Sequence, residues 1–382
     1  MKYFLPCALA LLLGGALLGG CIDSYLPDVP ATTQSYLVVD GFINSQGSTT
    51  IKLSRSLGTA SGSAIPPETK ATVYIQDDTG VRYPLAESPA GTYTSAVQTL
   101  NPTRQYQLRI ATSKGRAYLS DLVPVKTTPP IDTVTWQPQG AGIAINVSAH
   151  DATNNTRYYR WDYVETYQFT SAFRSTLEYV PSANTIRPRT EDIYHCWRTE
   201  PSTVIKQANT TKLSQDVVAA YPVIEMPYNE KLRIRYSVLV QQIAETQAEY
   251  EYWDTLSKNT QNLGTLNDPL PTQLTGNVHA VDNSSEPVLG FVSAHSVTQK
   301  RIFIDYNDLP RPLPLIDNTS YSKCSVDTVR PADALGIYKV GTYGPFLPEY
   351  DQRGRLLYYL SSTNVCIDCR LRGTNVQPSF WR

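Results

Sequence analysis

From Ser35 onward, apolar and polar residues alternate in short runs broken by turn residues, the period-two pattern of half-buried strands. Residues 36–39 and 50–53 form the first two runs, and a Gly/Ser/Pro-rich loop over 58–67 comes next. The run at 71–75 alternates cleanly and meets Asp77-Asp78-Thr79-Gly80, a hairpin signal, before a return run at 82–85. Residues 106–110 alternate again, turn through 113–116 and come back over 117–119. About seven short strands in roughly 90 residues predict an immunoglobulin-like or transthyretin-like β-sandwich over 36–126. Thr127-Thr128-Pro129-Pro130 reads as a linker, because proline cannot continue a central strand. A second strand series occupies 132–136, 143–147 and the aromatic-rich 158–169, with Trp136 and Trp161 placed like core tryptophans of a fibronectin-type sandwich. Residues 170–230 are less regular, and strand patterning resumes at 232–240. One helix interrupts it near 246–262: Thr246-Gln247-Ala248-Glu249 is a capping-box signature, with Tyr250, Trp253 and Leu256 at helical spacing and Gly264 as a stop. Asp268-Pro269-Leu270-Pro271 reads as an irregular return, and 291–294 and 301–304 as the last strands of a second sandwich over 127–305. Residues 306–382 carry Pro310, Pro312 and Pro314 and little regular pattern. They predict a tail that packs on the second domain without a core of its own, pinned by disulfides. The expected fold is thus mainly β: two sandwich domains, one short helical insertion and a pinned C-terminal tail.

The N-terminus obeys different logic. Lys2 precedes an apolar run over 4–18 of about 15 residues, short of the roughly 20 that span a bilayer. Gly19-Gly20-Cys21 closes it with the small-small-Cys ending of a lipoprotein signal peptide over 1–20. Cys21 is therefore the predicted lipidation site, its two or three acyl chains giving durable anchoring where one chain gives little. The competing possibility is ordinary secretory cleavage after Gly20. Residues 21–35 have no apolar periodicity and read as an extended tether.

Composition narrows the chemistry. Lys+Arg 33 against Asp+Glu 34 leaves no electrostatic case for a nucleic-acid partner. Tyr is abundant at 26 and Met scarce at 2, a mixture that favours strands. Beyond Cys7 and Cys21, four cysteines remain: Cys196, Cys324, Cys366 and Cys369. In an exported chain they read as two disulfides, with three connectivities open. Cys366-Ile367-Asp368-Cys369 has redox-motif spacing and four cysteines could hold zinc, but export and the lack of a βαβ context favour structural bonds. A bond from Cys196 into the tail closes the longest loop; its tail partner stays open. The histidines, His150, His195, His279 and His295, form no H-E-x-x-H or H-x-H pair, so no metal site is predicted. There is no G-x-S-x-G, and Ser320-Tyr321-Ser322-Lys323 matches S-x-x-K without its companion motifs. No catalytic residue, metal or cofactor is assigned. Asp77-Asp78 is read as a turn rather than a calcium site. Tyr158, Tyr163 and Tyr167 either stack on sugar rings or line a protein interface, or they are cross-strand core and rim pairs, the favoured reading.

Several segments together resemble a known family: Leu37-Val38-Val39-Asp40-Gly41-Phe42-Ile43, Arg233-Ile234-Arg235-Tyr236-Ser237-Val238, the Tyr250/Trp253 helix, Asp268-Pro269, Gly276-Asn277 and Val288-Leu289-Gly290-Phe291. The ending Cys366-Ile367-Asp368-Cys369-Arg370, Gly373-Thr374-Asn375, Pro378 and Phe380-Trp381 is the most specific part. The chain resembles the Bacteroidota lipoprotein family catalogued as domain of unknown function 4249, with Asp40 where the family more often has Glu. The resemblance implies an outer-membrane lipoprotein in a phylum where such proteins accompany TonB-dependent transporters, and it brings no catalytic residues. In that phylum Asp-Thr-Val or Asp-Thr-Leu tripeptides can be O-glycosylated, a three-residue pattern that Thr133, Thr255 and Thr328 fit, although Thr255 falls on the predicted helix.

The function expected from these features is non-enzymatic: an accessory or ligand-binding subunit, anchored in outer-membrane lipid through Cys21 beside a transporter. The rivals are an envelope hydrolase acting on glycans or peptides, and a surface adhesin. A cleft holding two carboxylates with raised pKa values would favour the hydrolase, whereas a flat aromatic face would favour binding.

Overall fold

The computed structural model describes residues 35–57, 64–261, 274–283, 285–312, 314–316 and 319–381. The signal peptide, Cys21, the tether up to residue 34, Gly264 and the 268–271 return lie outside these residues. No helix among the described residues is long and apolar enough to cross a membrane.

The first strand series is not a sandwich. Its strands are β1 (Leu37–Asn44), β2 (Thr50–Arg55), β3 (Thr72–Asp77), β4 (Arg82–Glu87), β5 (Thr92–Ser95), β6 (Gln105–Ala111), β7 (Ala117–Ser120) and β8 (Val123–Lys126). Hydrogen bonding runs β1-β2-β5-β4-β3-β6-β8, and a two-residue strand, Ala294–His295, joins β8 back to β1. The result is a closed eight-strand barrel, which overturns the expectation of two sandwich domains. The physical reason is that alternation specifies one buried face per strand and is silent on whether the sheet closes. Closure here depends on a rung from far along the chain: Ala294 pairs with Ile43 on one side and Val125 on the other, parallel to both. The barrel interior is filled by Leu37, Val39, Ile43, Ile51, Ile75, Leu108 and fully buried Tyr93, Tyr106 and Tyr118. Tyr93 keeps its hydroxyl satisfied, donating to Glu68 O at 2.8 Å and accepting from Ala71 N at 3.0 Å.

The residues that lace across the barrel, 276–283 and 285–296, explain several positions that carry the family resemblance. Gly290 has φ +132°, and a Cβ there would stand 2.0 Å from Val39 O. Only glycine allows that approach of backbone to β1. Asn277 brackets Val292, donating to its carbonyl and accepting from its N–H, both at 2.8 Å.

The second body has one core between two antiparallel sheets. β9 (Ile131–Gln139), β10 (Gly142–His150) and β14 (Val217–Pro227) form the smaller sheet. The larger contains β12 (His195–Pro201), β11 (Tyr158–Thr170), β15 (Arg235–Glu245) and β16 (Val297–Asp305) in that order, with β13 (Lys206–Asn209) also on β11. Trp161, fully buried, sits in this core and donates its indole N–H to Gln242 at 2.9 Å, while Trp136 packs at the core's edge. The 127–130 joint is tied down at its middle: Thr128 N donates to Ser296 Oγ at 2.9 Å, and Gln242 and Thr298 both donate to Pro129 O.

The C-terminal segment is also a correction. It builds a sheet of β17 (Asp327–Val329), β19 (Leu356–Thr363) and β18 (Tyr343–Tyr350), in that order, instead of lying as a tail without a core. Helix α2 (Pro331–Tyr338) covers it, and Val329, Ala334 and Tyr338 pack with Tyr179 and Ile186 from a neighbouring hairpin. Pro345 and Pro348 within β18 hide the strand pattern, since proline ordinarily argues against a strand interior. Two disulfides fix the segment, Cys196–Cys369 and Cys324–Cys366. The two halves of the C-x-x-C motif thus take different partners.

Candidate functional site

The barrel and the second body meet where β1, the start of β11, the 291–295 segment and helix α1 (Gln247–Gln261) converge. Thr246 caps α1, its Oγ1 accepting from Glu249 N at 3.2 Å. In a full capping box the Glu249 side chain would turn back to the cap. Instead its Oε1 accepts from Ser293 Oγ at 2.8 Å, next to the rung that closes the barrel. Glu249 is buried, and its Oε2 has no hydrogen-bond partner.

Arg160 organises the charges. Its Nε donates to Glu245 Oε1 at 2.8 Å, and Nη1 donates to both oxygens of Asp162 at 3.1 and 2.9 Å. Nη2 lies 3.9 Å from Glu249 Oε1, and the guanidinium covers the Trp253 ring at 4.5 Å. Glu245, fully buried, accepts from Gln207 Nε2 at 2.6 Å on its other oxygen. One arginine therefore faces three carboxylates, two of them buried and Asp162 reaching solvent. Burial, and then repulsion from Glu249, pushes the Glu245 carboxyl up to about 8, and burial likewise raises Glu249. Arg160 is held above its ordinary value: burial works against its charge, but Asp162, Glu245 and Glu249 outweigh it. His295 stacks on Phe42 at 4.1 Å, and its Nε2 is 3.7 Å from Glu249. Burial, reinforced by Arg160, lowers its pKa to about 3, so it is neutral.

Asp40, Phe42, Arg160, Asp162, Glu249 and Trp253 line a cleft of about 170 Å³ at this junction. Of the two carboxylates with raised pKa values, Glu249 alone reaches it. Glu245 sits behind Arg160 with both oxygens engaged. A cleft holding two such carboxylates is the feature that would favour a hydrolase. The pair is present, but it does not converge on one cavity in the way an acid and a base acting across a bond require. What the cleft offers is an acceptor, aromatic walls and a fixed cation, the makings of a small binding site.

The other candidates fall elsewhere. Tyr167 is buried beside Phe169, Tyr163 is half-buried against the same core, and Tyr158 packs on Tyr250 at 5.1 Å, so these tyrosines make no flat exposed face. Asp77 is a turn residue: its Oδ1 accepts from Thr79 N, Thr79 Oγ1 and Val81 N. His150, His195 and His279 each pair with one aspartate, Asp132, Asp192 and Asp121. Ser320 donates to Glu230 at 2.8 Å and accepts from Arg372. Among the described residues no group of three or more His, Cys, Asp or Glu is placed to hold a metal ion. Arg160, Glu245 and Ser293 are absent from the sequence-derived candidates. A charged residue inside the aromatic run at 158–163 is the one signal that points to them.

Fold and junction define a mainly β protein whose barrel is completed from its own second body. The sequence matches the family described as "Domain of unknown function (DUF4249)" over residues 22–301, and the chain belongs to that family. The comparison with curated proteins finds no match. Among solved structures, an adhesin of Yersinia pseudotuberculosis, InvE, is similar at 15% identity with a TM-score of 0.14. The match covers 55% of each chain, so this chain spans about half the length of that one.

Proposed function

We propose that this chain is a lipid-anchored lipoprotein of the Bacteroidota outer membrane, a non-catalytic ligand-binding accessory of a TonB-dependent transporter. The observation that carries binding is the junction cleft, where Arg160, Trp253 and the buried carboxyl of Glu249 meet in one wall. Gly19-Gly20-Cys21 supports the anchor, and the family resemblance supports the setting. Crosslinking in the native membrane and pull-down of the tagged chain should recover a transporter with the unaltered protein. Cys21→Ser should lose both membrane attachment and that partner. Reproducible recovery of the chain without a transporter would overturn the accessory role. The second reading, an envelope hydrolase, draws on the raised pKa values of Glu245 and Glu249. It requires turnover of a glycan or peptide that Glu249→Gln abolishes while leaving the fold intact.

A further inference from the structure

A second cavity, of about 340 Å³, lies between the C-terminal sheet and the hairpin of strands Leu177–Val180 and Thr185–Pro188. That volume falls within the roughly 300–1,000 Å³ of small-molecule sites. It does not share a residue with the junction cleft, so it stands independently of the function proposed above.

Its walls carry three cations, and their charges are unequally answered. Arg370 is fully committed, Nε and Nη2 donating to Asp368 at 2.9 and 2.8 Å and Nη1 to Glu191 at 2.8 Å. Arg189 is not. Its side chain is only 13% exposed, its Nε is spread between Ser175 Oγ and Leu177 O at 3.2 Å each, and the carboxylate in contact with it is Glu178 at 3.5 Å, with Asp368 and Glu191 acting from farther off. Glu178 is itself claimed more closely by Arg187, at 2.6 Å. Lys339, at the C-terminal end of α2, is exposed and enters no ion pair among the described residues. With Arg187 and Glu191 counted alongside the lining residues, four cations meet three carboxylates, a positive excess of about one charge. Burial holds the Arg189 guanidinium below its ordinary value, as expected where compensation is incomplete.

The other walls suit an organic ligand. The half-buried Tyr179 has its hydroxyl already bonded to Asn184, which leaves ring surface as lining, and the buried Tyr338 packs against it at 6.4 Å. The segment carrying Asp368 is fixed on both sides by disulfides, through Cys366 and Cys369. A wall held this way needs little ordering when a ligand arrives.

We propose that this cavity binds a small molecule through a single carboxylate, held between Arg189 and Lys339. An excess of about one positive charge matches a monoanion better than a phosphate dianion, and the planar guanidinium suits carboxylate geometry. The carboxylate could belong to a sugar acid or to a peptide C-terminus. Isothermal titration of the full-length protein in detergent tests this with glucuronate, N-acetyl-trialanine, inorganic phosphate and glucose. Saturable binding of glucuronate, of the tripeptide or of both supports the site, and the pattern tells which source it favours. Affinity should fall as sodium chloride rises, and Lys339→Gln should weaken it about tenfold. Arg189→Gln should abolish it; because Arg189 also ties down the hairpin, its fold is checked by circular dichroism, and Lys339→Gln stands as the variant on an exposed residue. Absence of saturation by either carboxylate at millimolar concentration overturns the proposal. So does tighter binding of phosphate or glucose, or an affinity that Lys339→Gln leaves unchanged.

Discussion

Glu245→Gln offers the sharpest test of the junction. In the folded protein the Glu245 carboxyl titrates at about 8, against an ordinary value of 4.5. The folded state therefore binds this proton more tightly than the unfolded chain does. Linkage fixes the sign: the contribution is fully present below about pH 4.5 and is lost as pH rises through about 8. Taken alone, a displacement of that size corresponds to a stability loss on the order of 5 kcal/mol across the window. Glu249 shares the same arginine, so when one carboxyl ionises the other holds its proton more firmly.

Glutamine keeps the shape and the hydrogen bond from Arg160, turns an N–H2 group toward the Gln207 amide in place of the acceptor there, and removes one ionisable member of the pair. Glu249 can then ionise beside Arg160 without a neighbouring negative charge. Urea unfolding of both proteins at pH 5 to 9 reads the effect. The unaltered protein should lose stability steadily between about pH 5 and 8, whereas Glu245→Gln should show a much flatter profile and overtake it at the alkaline end. Parallel profiles would refute the reasoning, because they would mean that Glu245 is charged throughout and the arginine fully satisfies it.

Two further outcomes rest on geometry. Removing the Cys196–Cys369 bond, which closes a separation of 173 residues, should cost up to about 5 kcal/mol by the chain-entropy relation, and removing Cys324–Cys366, with a separation of 42, about 4 kcal/mol; urea midpoints of the paired alanine variants check the order, and equal or reversed losses would count against it. Gly290→Ala should lose about 2–4 kcal/mol through positive φ and the contact with Val39 O, while Gly115→Ala, with φ +79° and nothing within 4 Å, should lose about 1 kcal/mol or less; thermal unfolding of the two side by side decides.

Much of the local structure is legible in the residues themselves. Asp77-Asp78-Thr79-Gly80 makes its turn because Asp77 can accept from two residues ahead of it, and Thr246 caps α1 because a hydroxyl there meets the Glu249 N–H. The oxidised cysteines are expected from export and even number. What escapes is whatever depends on distant partners. Glu249 reads as a capping residue, since nothing nearby announces that its carboxylate turns to Ser293. Glu245 ends a strand and looks like an ordinary polar terminus. β18 carries two prolines, and β17 is three residues long, so neither shows the alternation that a sheet normally prints on its sequence.

The barrel is the clearest case, and it bears on the site. Its closing rung is two residues long, too short for any periodic signal, and its position is set by the strand immediately C-terminal to it. One residue later β16 begins, and Val297 is registered opposite Ile243 of the larger sheet. That register sets where Ala294 can reach Ile43 and Val125, so the second body determines whether the first can close. The same few residues build the cleft: Ser293 holds Glu249, and His295 stacks on Phe42. Barrel closure and assembly of the Arg160 cluster are thus one structural event seen from two sides. A ligand that engages Glu249 would act on the contact that joins the two bodies, and a mutation that loosens the rung would disturb the cleft without touching any residue that lines it.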